Sequence, residues 1–81
     1  KPAPQTPLVA ALAVDLLQGA GVPRAALRLL PGGGDVGAAL AADPRIAGVA
    51  FTGSTATAKA IRRAMAERGN PTAPLIAETG G

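Results

Sequence analysis

The chain has no cysteine, no histidine, no tryptophan and no tyrosine, and only one phenylalanine among its 81 residues. Without cysteine it forms no disulfide, supplies no thiol nucleophile and builds no zinc site of the usual type; no metal site is expected. Aromatic residues make up 1%, so nothing is interleaved among the basic residues on which bases would stack. The net charge of +3 attracts polyanions in general but provides no nucleic-acid platform. Lys59, Arg62, Arg63 and Arg68, which share one expected helix, read as a solvated face. No apolar run approaches the roughly 18 residues of a membrane span, and the start has no charged-then-apolar leader pattern. A soluble protein of a reducing, cytoplasmic compartment is expected. An initiator methionine is also missing, so the segment is expected to be cut from something longer.

Hydrophobic residues make up 48%, and alanine alone is about a quarter of the chain. A core of this kind packs through Ala, Leu, Val and Ile, with close approach of helix to sheet. A chain of this size buries only roughly 60% of its unfolded surface, which predicts one small domain with a thin core.

In "QTPLVAALAVDLLQGAGVP", Thr6 is placed to cap a helix with Pro7 at its first position. Val9, Leu12, Ala13, Leu16 and Leu17 recur at helical spacing before the Gly19 to Pro23 punctuation. "ALRLLPGGG" reads as a strand over residues 26–30, and "DVGAALAADP" as a helix with Asp35 as its cap. "IAGVAFTGST" reads as a second strand over residues 47–51, turning at Gly53. Ser54 or Thr55 then caps a third helix with Ala58, Ile61 and Met65 as its stripe and Gly69 as its stop. A last strand over residues 75–77 runs into Glu78. The order α-β-α-β-α-β, with helices of about ten residues between short apolar strands, predicts a partial Rossmann-like α/β fold: about three parallel strands and three helices.

In open parallel sheets ligands bind outside the carboxyl ends of the strands. Three glycine-rich loops fall at that edge: "PGGGD", "TGST" and "ETGG". They bring backbone close to a ligand, and two of them open helices whose N-termini favour an anion. Each also has a plain reading. "PGGGDVG" is not the G-x-G-x-x-G fingerprint and no Walker lysine follows it, "TGST" serves as an ordinary helix cap, and a lone glutamate at a strand end is commonly just solvated.

Taken together, "KPAPQTP", "PGGGDVGAAL", "FTGST" and "AETGG", in this order and at these spacings, resemble the cofactor domain of the aldehyde dehydrogenase superfamily over essentially the whole chain. "IAETGG", "VGAAL" and "GVAFTGSTATA" look most like the glutamate-semialdehyde dehydrogenase half of the bifunctional bacterial proline utilization enzymes. The resemblance implies that residues 1–81 are a fragment of a dinucleotide-binding domain, with NAD as cofactor, NADP as a possible substitute, and a small aldehyde as substrate. FAD would be confined to a separate proline-oxidising domain if the parent is bifunctional, and the parent is expected to be a homo-oligomer. It implies that Lys1 lies by the adenosine ribose, that Gly53 and Ser54 open the helix under the pyrophosphate, and that Glu78 is the general base. In the family a cysteine downstream of "ETGG" attacks the aldehyde. This chain ends before that point, so the fragment by itself is expected to be inactive.

Two departures stand out. The family pattern "KPAEQTP" has a glutamate that hydrogen-bonds the ribose hydroxyls, and here that position is Pro4; the "PGGGD" loop is also one residue shorter than "PGRGET". Two rival readings stay open: an aldehyde dehydrogenase of another substrate, or a non-catalytic interaction module that kept the fold and lost the chemistry.

Overall fold

The computed structural model describes residues 1–70 and 72–80. Helices α1 (Pro7–Gly19), α2 (Gly34–Ala42) and α3 (Thr55–Glu67) and strands β1 (Val49–Gly53) and β2 (Leu75–Thr79) follow in the order α1, α2, β1, α3, β2, with a 3-10 turn over Arg24–Ala26. The chain divides into two compact units, Lys1–Gly37 and Ala38–Gly81.

In the first unit, α1 starts at Pro7, whose missing N–H falls where a helix has no internal acceptor for it. Thr6 stands at the cap position, but its hydroxyl turns back to the Ala3 carbonyl instead of capping. The Thr6 N–H also bonds the Ala3 carbonyl, at 3.0 Å, closing a turn over residues 3–6 with Pro4 second in it. The helix ends in a Schellman motif: Val22 N–H reaches Leu17 O and Gly21 N–H reaches Gln18 O, both at 3.1 Å, with Gly21 at φ +114°. The expected apolar stripe points outward, with Val9, Leu12, Ala13, Leu16 and Leu17 all exposed. The half-buried residues of α1 are Ala10, Ala11, Val14 and Gln18. Gln18 explains the choice, because its Nε2 donates to Leu27 O and its Oε1 accepts from Arg24, both at 2.9 Å.

The strand expected over residues 26–30 does not form. Ala26 closes the 3-10 turn through its N–H to Pro23 O at 2.9 Å. Leu27 is extended, with φ −137° and ψ 109°, but its carbonyl is taken by the Gln18 side chain. A strand needs a ladder partner, and among the described residues this segment has none. The α/β class stands with two parallel strands rather than about three.

In the second unit, β1 and β2 pair in parallel, from Val49↔Leu75 through Phe51↔Ala77 to Gly53↔Thr79. Val49, Phe51, Leu75 and Ala77 lie on the half-buried face, against which α3 packs, while Ala50, Thr52, Ile76 and Glu78 line the exposed face. The expected α3 stripe is in place: Ala58 and Met65 are buried and Ile61 is half-buried. Ala41 of α2 is buried as well. Below the strands, Arg68 ties three backbone carbonyls: Nη1 donates to Ala41 O at 3.1 Å and Asp43 O at 2.8 Å, and Nη2 donates to Ile46 O at 2.7 Å. Asp43 also pairs with Arg45 at 2.7 Å. Hydrogen bonds from the Arg45 side chain and backbone hold the Asp43 carboxyl down at about 2.

Candidate functional site

The carboxyl ends of β1 and β2 bring three of the expected residues into one place. Parallel strands in register finish together, so Gly53 lies beside Thr79 and Thr52 beside Glu78. Gly53 is the last residue of β1, Ser54 the next, and Glu78 the next to last of β2.

Ser54 is the cap of α3. Its Oγ accepts from Thr57 N–H at 3.1 Å and donates to Thr57 Oγ1 at 2.8 Å, so its side chain is spent within the first turn. The N–H groups of Thr55 and Ala56, at the first two helical positions, have no partner inside the helix. No acidic residue stands in that turn to compete for them. Together these features make the end of α3 suited to an anion, through backbone rather than through the Ser54 hydroxyl.

Gly53 has a structural reason of its own to be glycine. A Cβ there would come within 2.5 Å of Phe51 Cζ, because the ring of the chain's single aromatic residue folds over it. Since that atom is the end of a rotatable side chain, the close approach is to the ring and not to fixed backbone. Glu78 is exposed on the outer face of the sheet, and among the described residues its carboxylate has no hydrogen-bond or ion-pair partner. The carboxylate at this strand end is open to solvent.

Lys1 lies in the first unit, in front of the glycine loop. Its Nζ donates to Gly32 O at 2.6 Å and to the carbonyl of Pro2, and its stem passes 3.8 Å from the point a Cβ on Gly37 would occupy. Two of its three N–H bonds are thus turned to backbone and one is left for an oxygen ligand. Pro4, at the second position of its turn, is exposed and in a place that favours proline for its fixed φ. Among the described residues there is no group of three or more acidic, Cys or His side chains that would hold a metal ion, and no helix is long and apolar enough to cross a membrane.

Sequence reasoning passed over two residues. Thr52 is the cross-strand neighbour of Glu78, which counting back equally from the two strand ends would have revealed. Arg68, read as part of a solvated face, instead reaches carbonyls 22 to 27 residues away, and no local spacing signals such a contact.

The chain is 57% identical over 84 residues to the bifunctional protein PutA of Rhizobium meliloti, and 57% identical over 86 residues to that of Klebsiella aerogenes. All of the chain is covered in both, but only 7% and 6% of those proteins. It is 51% identical over 81 residues to the N-succinylglutamate 5-semialdehyde dehydrogenase of Sphingopyxis alaskensis, of which it covers 16%. A solved structure of Bradyrhizobium japonicum proline utilization A superposes on 99% of the chain with a TM-score of 0.95 and 59% identity, over 8% of its own length. The chain therefore spans less than a tenth of the proline utilization proteins it matches. The model of the aldehyde dehydrogenase family matches residues 1–81 without remainder, and the chain belongs to that family.

Proposed function

We propose that this chain is a segment of the dinucleotide-binding domain of an NAD-dependent dehydrogenase that oxidises L-glutamate γ-semialdehyde to L-glutamate in proline catabolism. The observation that supports the reading is the strand register, which sets the helix end, with its unpaired first backbone N–H groups, and a free carboxylate side by side at one sheet edge. The identity to the proline utilization proteins, with the lower identity to the succinylated-substrate enzyme, supports the choice of aldehyde.

In this reading Gly53, Ser54 and the first turn of α3 hold the pyrophosphate, and Lys1 faces the adenosine ribose. When bound, NAD supplies the hydride acceptor. Glu78 takes a proton from the water that attacks an acyl group held on a nucleophile from outside this segment; the carbon–oxygen bond forms as the carbon–nucleophile bond breaks, and the acid leaves. The segment by itself contributes cofactor contacts and the base, and the aldehyde pocket lies elsewhere in the protein. The deciding experiment is NADH formation by the full-length protein with glutamate γ-semialdehyde and with its N-succinyl derivative. Preference for the free semialdehyde is expected, and preference for the succinylated one would transfer the chain to the second group of relatives.

Pro4 carries a further consequence for the cofactor. A glutamate beside the ribose accepts hydrogen bonds from both hydroxyls and repels the extra phosphate of NADP, whereas proline does neither. The full-length enzyme is thus expected to discriminate weakly against NADP. A hydrogen bond to a charged acceptor contributes about 1.5 to 3 kcal/mol, so Pro4→Glu should tighten NAD by roughly ten-fold or more and weaken NADP. Dissociation constants of both cofactors for the parent and the variant check this; an unmoved ratio removes the ribose from this end of the chain.

A further inference from the structure

Within the first unit, α1 and the segment that follows it line a groove of about 320 Å³. Its floor is apolar: Ala11 and Val14 come from α1, Leu27 and Leu29 from the segment after it, and all four are half-buried. Its rim is charged, with Asp15 on the helix and Arg24 and Arg28 on the following segment, all exposed. Arg24 is held in place by Gln18, whose Oε1 accepts from its Nη1 at 2.9 Å, and Gln18 is fixed in turn by its own bond to Leu27 O. A guanidinium carries several N–H donors, so this bond leaves most of the Arg24 fork for another acceptor. Among the described residues no ion pair joins Asp15 to Arg24 or to Arg28. Charges of both signs thus line one groove without neutralising each other.

Opposite charges at the rim of an apolar floor match a small zwitterion. We propose that this groove binds an α-amino acid with an aliphatic side chain: its carboxylate accepts from Arg24 and Arg28, its ammonium donates to Asp15, and its side chain lies on Val14, Leu27 and Leu29. A plain carboxylate would satisfy the arginines and meet Asp15 as a like charge, and a plain amine would meet the arginines in the same way. The amino acid pairs with both signs through charge-assisted hydrogen bonds. The volume falls at the lower end of the range of about 300 to 1,000 Å³ usual for small-molecule sites, which suits a ligand of this size. None of the residues at the carboxyl ends of β1 and β2 takes part, so the proposal is independent of the reading of Glu78.

The test uses the full-length protein with L-valine as the probe, followed by calorimetry and saturation-transfer NMR. Two partial probes accompany it: 3-methylbutanoate, which lacks the ammonium, and 2-methylpropylamine, which lacks the carboxylate. L-Valine is expected to bind with a Kd of about a millimolar, and each partial probe roughly ten-fold more weakly. Asp15→Asn should weaken L-valine about ten-fold and leave 3-methylbutanoate unchanged, whereas Arg28→Met should weaken both. Neither residue belongs to an ion pair among the described residues, so thermal unfolding and NADH formation are expected to match the parent in both variants. Equal affinity for L-valine in the parent and the two variants would place the amino acid elsewhere. 3-Methylbutanoate binding as tightly as L-valine would leave the ammonium unrecognised, a result that needs no variant to fold. Absence of L-valine binding at tens of millimolar would show that other parts of the protein fill the groove. Any of these three results overturns the proposal.

Discussion

Replacing Glu78 by glutamine in the full-length enzyme is expected to reduce turnover roughly 100-fold or more while NAD affinity stays within about two-fold, as general-base catalysis typically contributes factors of this size. The amide keeps the volume and one acceptor oxygen but takes up no proton from water. The site leaves little room for a structural explanation of such a loss: Glu78 is exposed, carries no hydrogen bond or ion pair among the described residues, and lies on the face away from α3. Steady-state rates together with a cofactor titration check both halves of the statement. If turnover persists, the base lies outside this segment. If NAD affinity falls with the rate, the carboxylate acts in cofactor binding.

The second large effect belongs to Arg68 and concerns folding. Its guanidinium crosslinks the end of α2 and the residues that lead into β1 through three carbonyls, and it is only partly exposed. Each hydrogen bond from a charged donor contributes about 1.5 to 3 kcal/mol, and a donor buried without a partner costs about 1 to 3 kcal/mol. The Arg68 Nε is such a donor, so the three bonds are offset in part. A net loss of about 3 kcal/mol is expected for Arg68→Met, which fills the volume and orphans the carbonyls. Arg68→Lys should fall between the two, since an ammonium is a point donor that does not span the fork of a guanidinium. Urea unfolding and amide exchange at Ile46 and in β1 measure it. Equal stability of all three proteins would show that neighbouring groups satisfy the carbonyls unaided.

The elements with strong local chemistry were legible. Pro7, the Ser54 cap and Gly69 bounded α1 and α3 closely, because each acts within one turn of its own position. The Ala58, Ile61 and Met65 stripe faces inward as its spacing required. Strand limits were less legible. β1 runs two residues beyond its expected end because Thr52 and Gly53, which read as a turn, still have partners in Glu78 and Thr79. The run at 26–30 looked like a strand since apolar composition records burial tendency and not pairing, and the Gln18 amide that claims the Leu27 carbonyl is nine residues away. At the site, Gly53, Ser54 and Glu78 were visible as types at loop positions, but their adjacency depends on how β1 aligns with β2. The neighbour that this alignment gives to Glu78, Thr52, went unremarked.

That alignment also limits how the gene is free to change in length. Side chains alternate along a strand, so one residue gained or lost within β2 ahead of Glu78 would turn its carboxylate toward α3. Two residues would restore the face but slide the acid about 6.6 Å along the sheet, away from Gly53. The proline utilization proteins match over 84 and 86 positions against the 81 residues here. A length difference that keeps the acid beside Gly53 has to fall outside β1 and β2, where a longer connection leaves the count from strand start to acid, and from strand start to glycine, as it is.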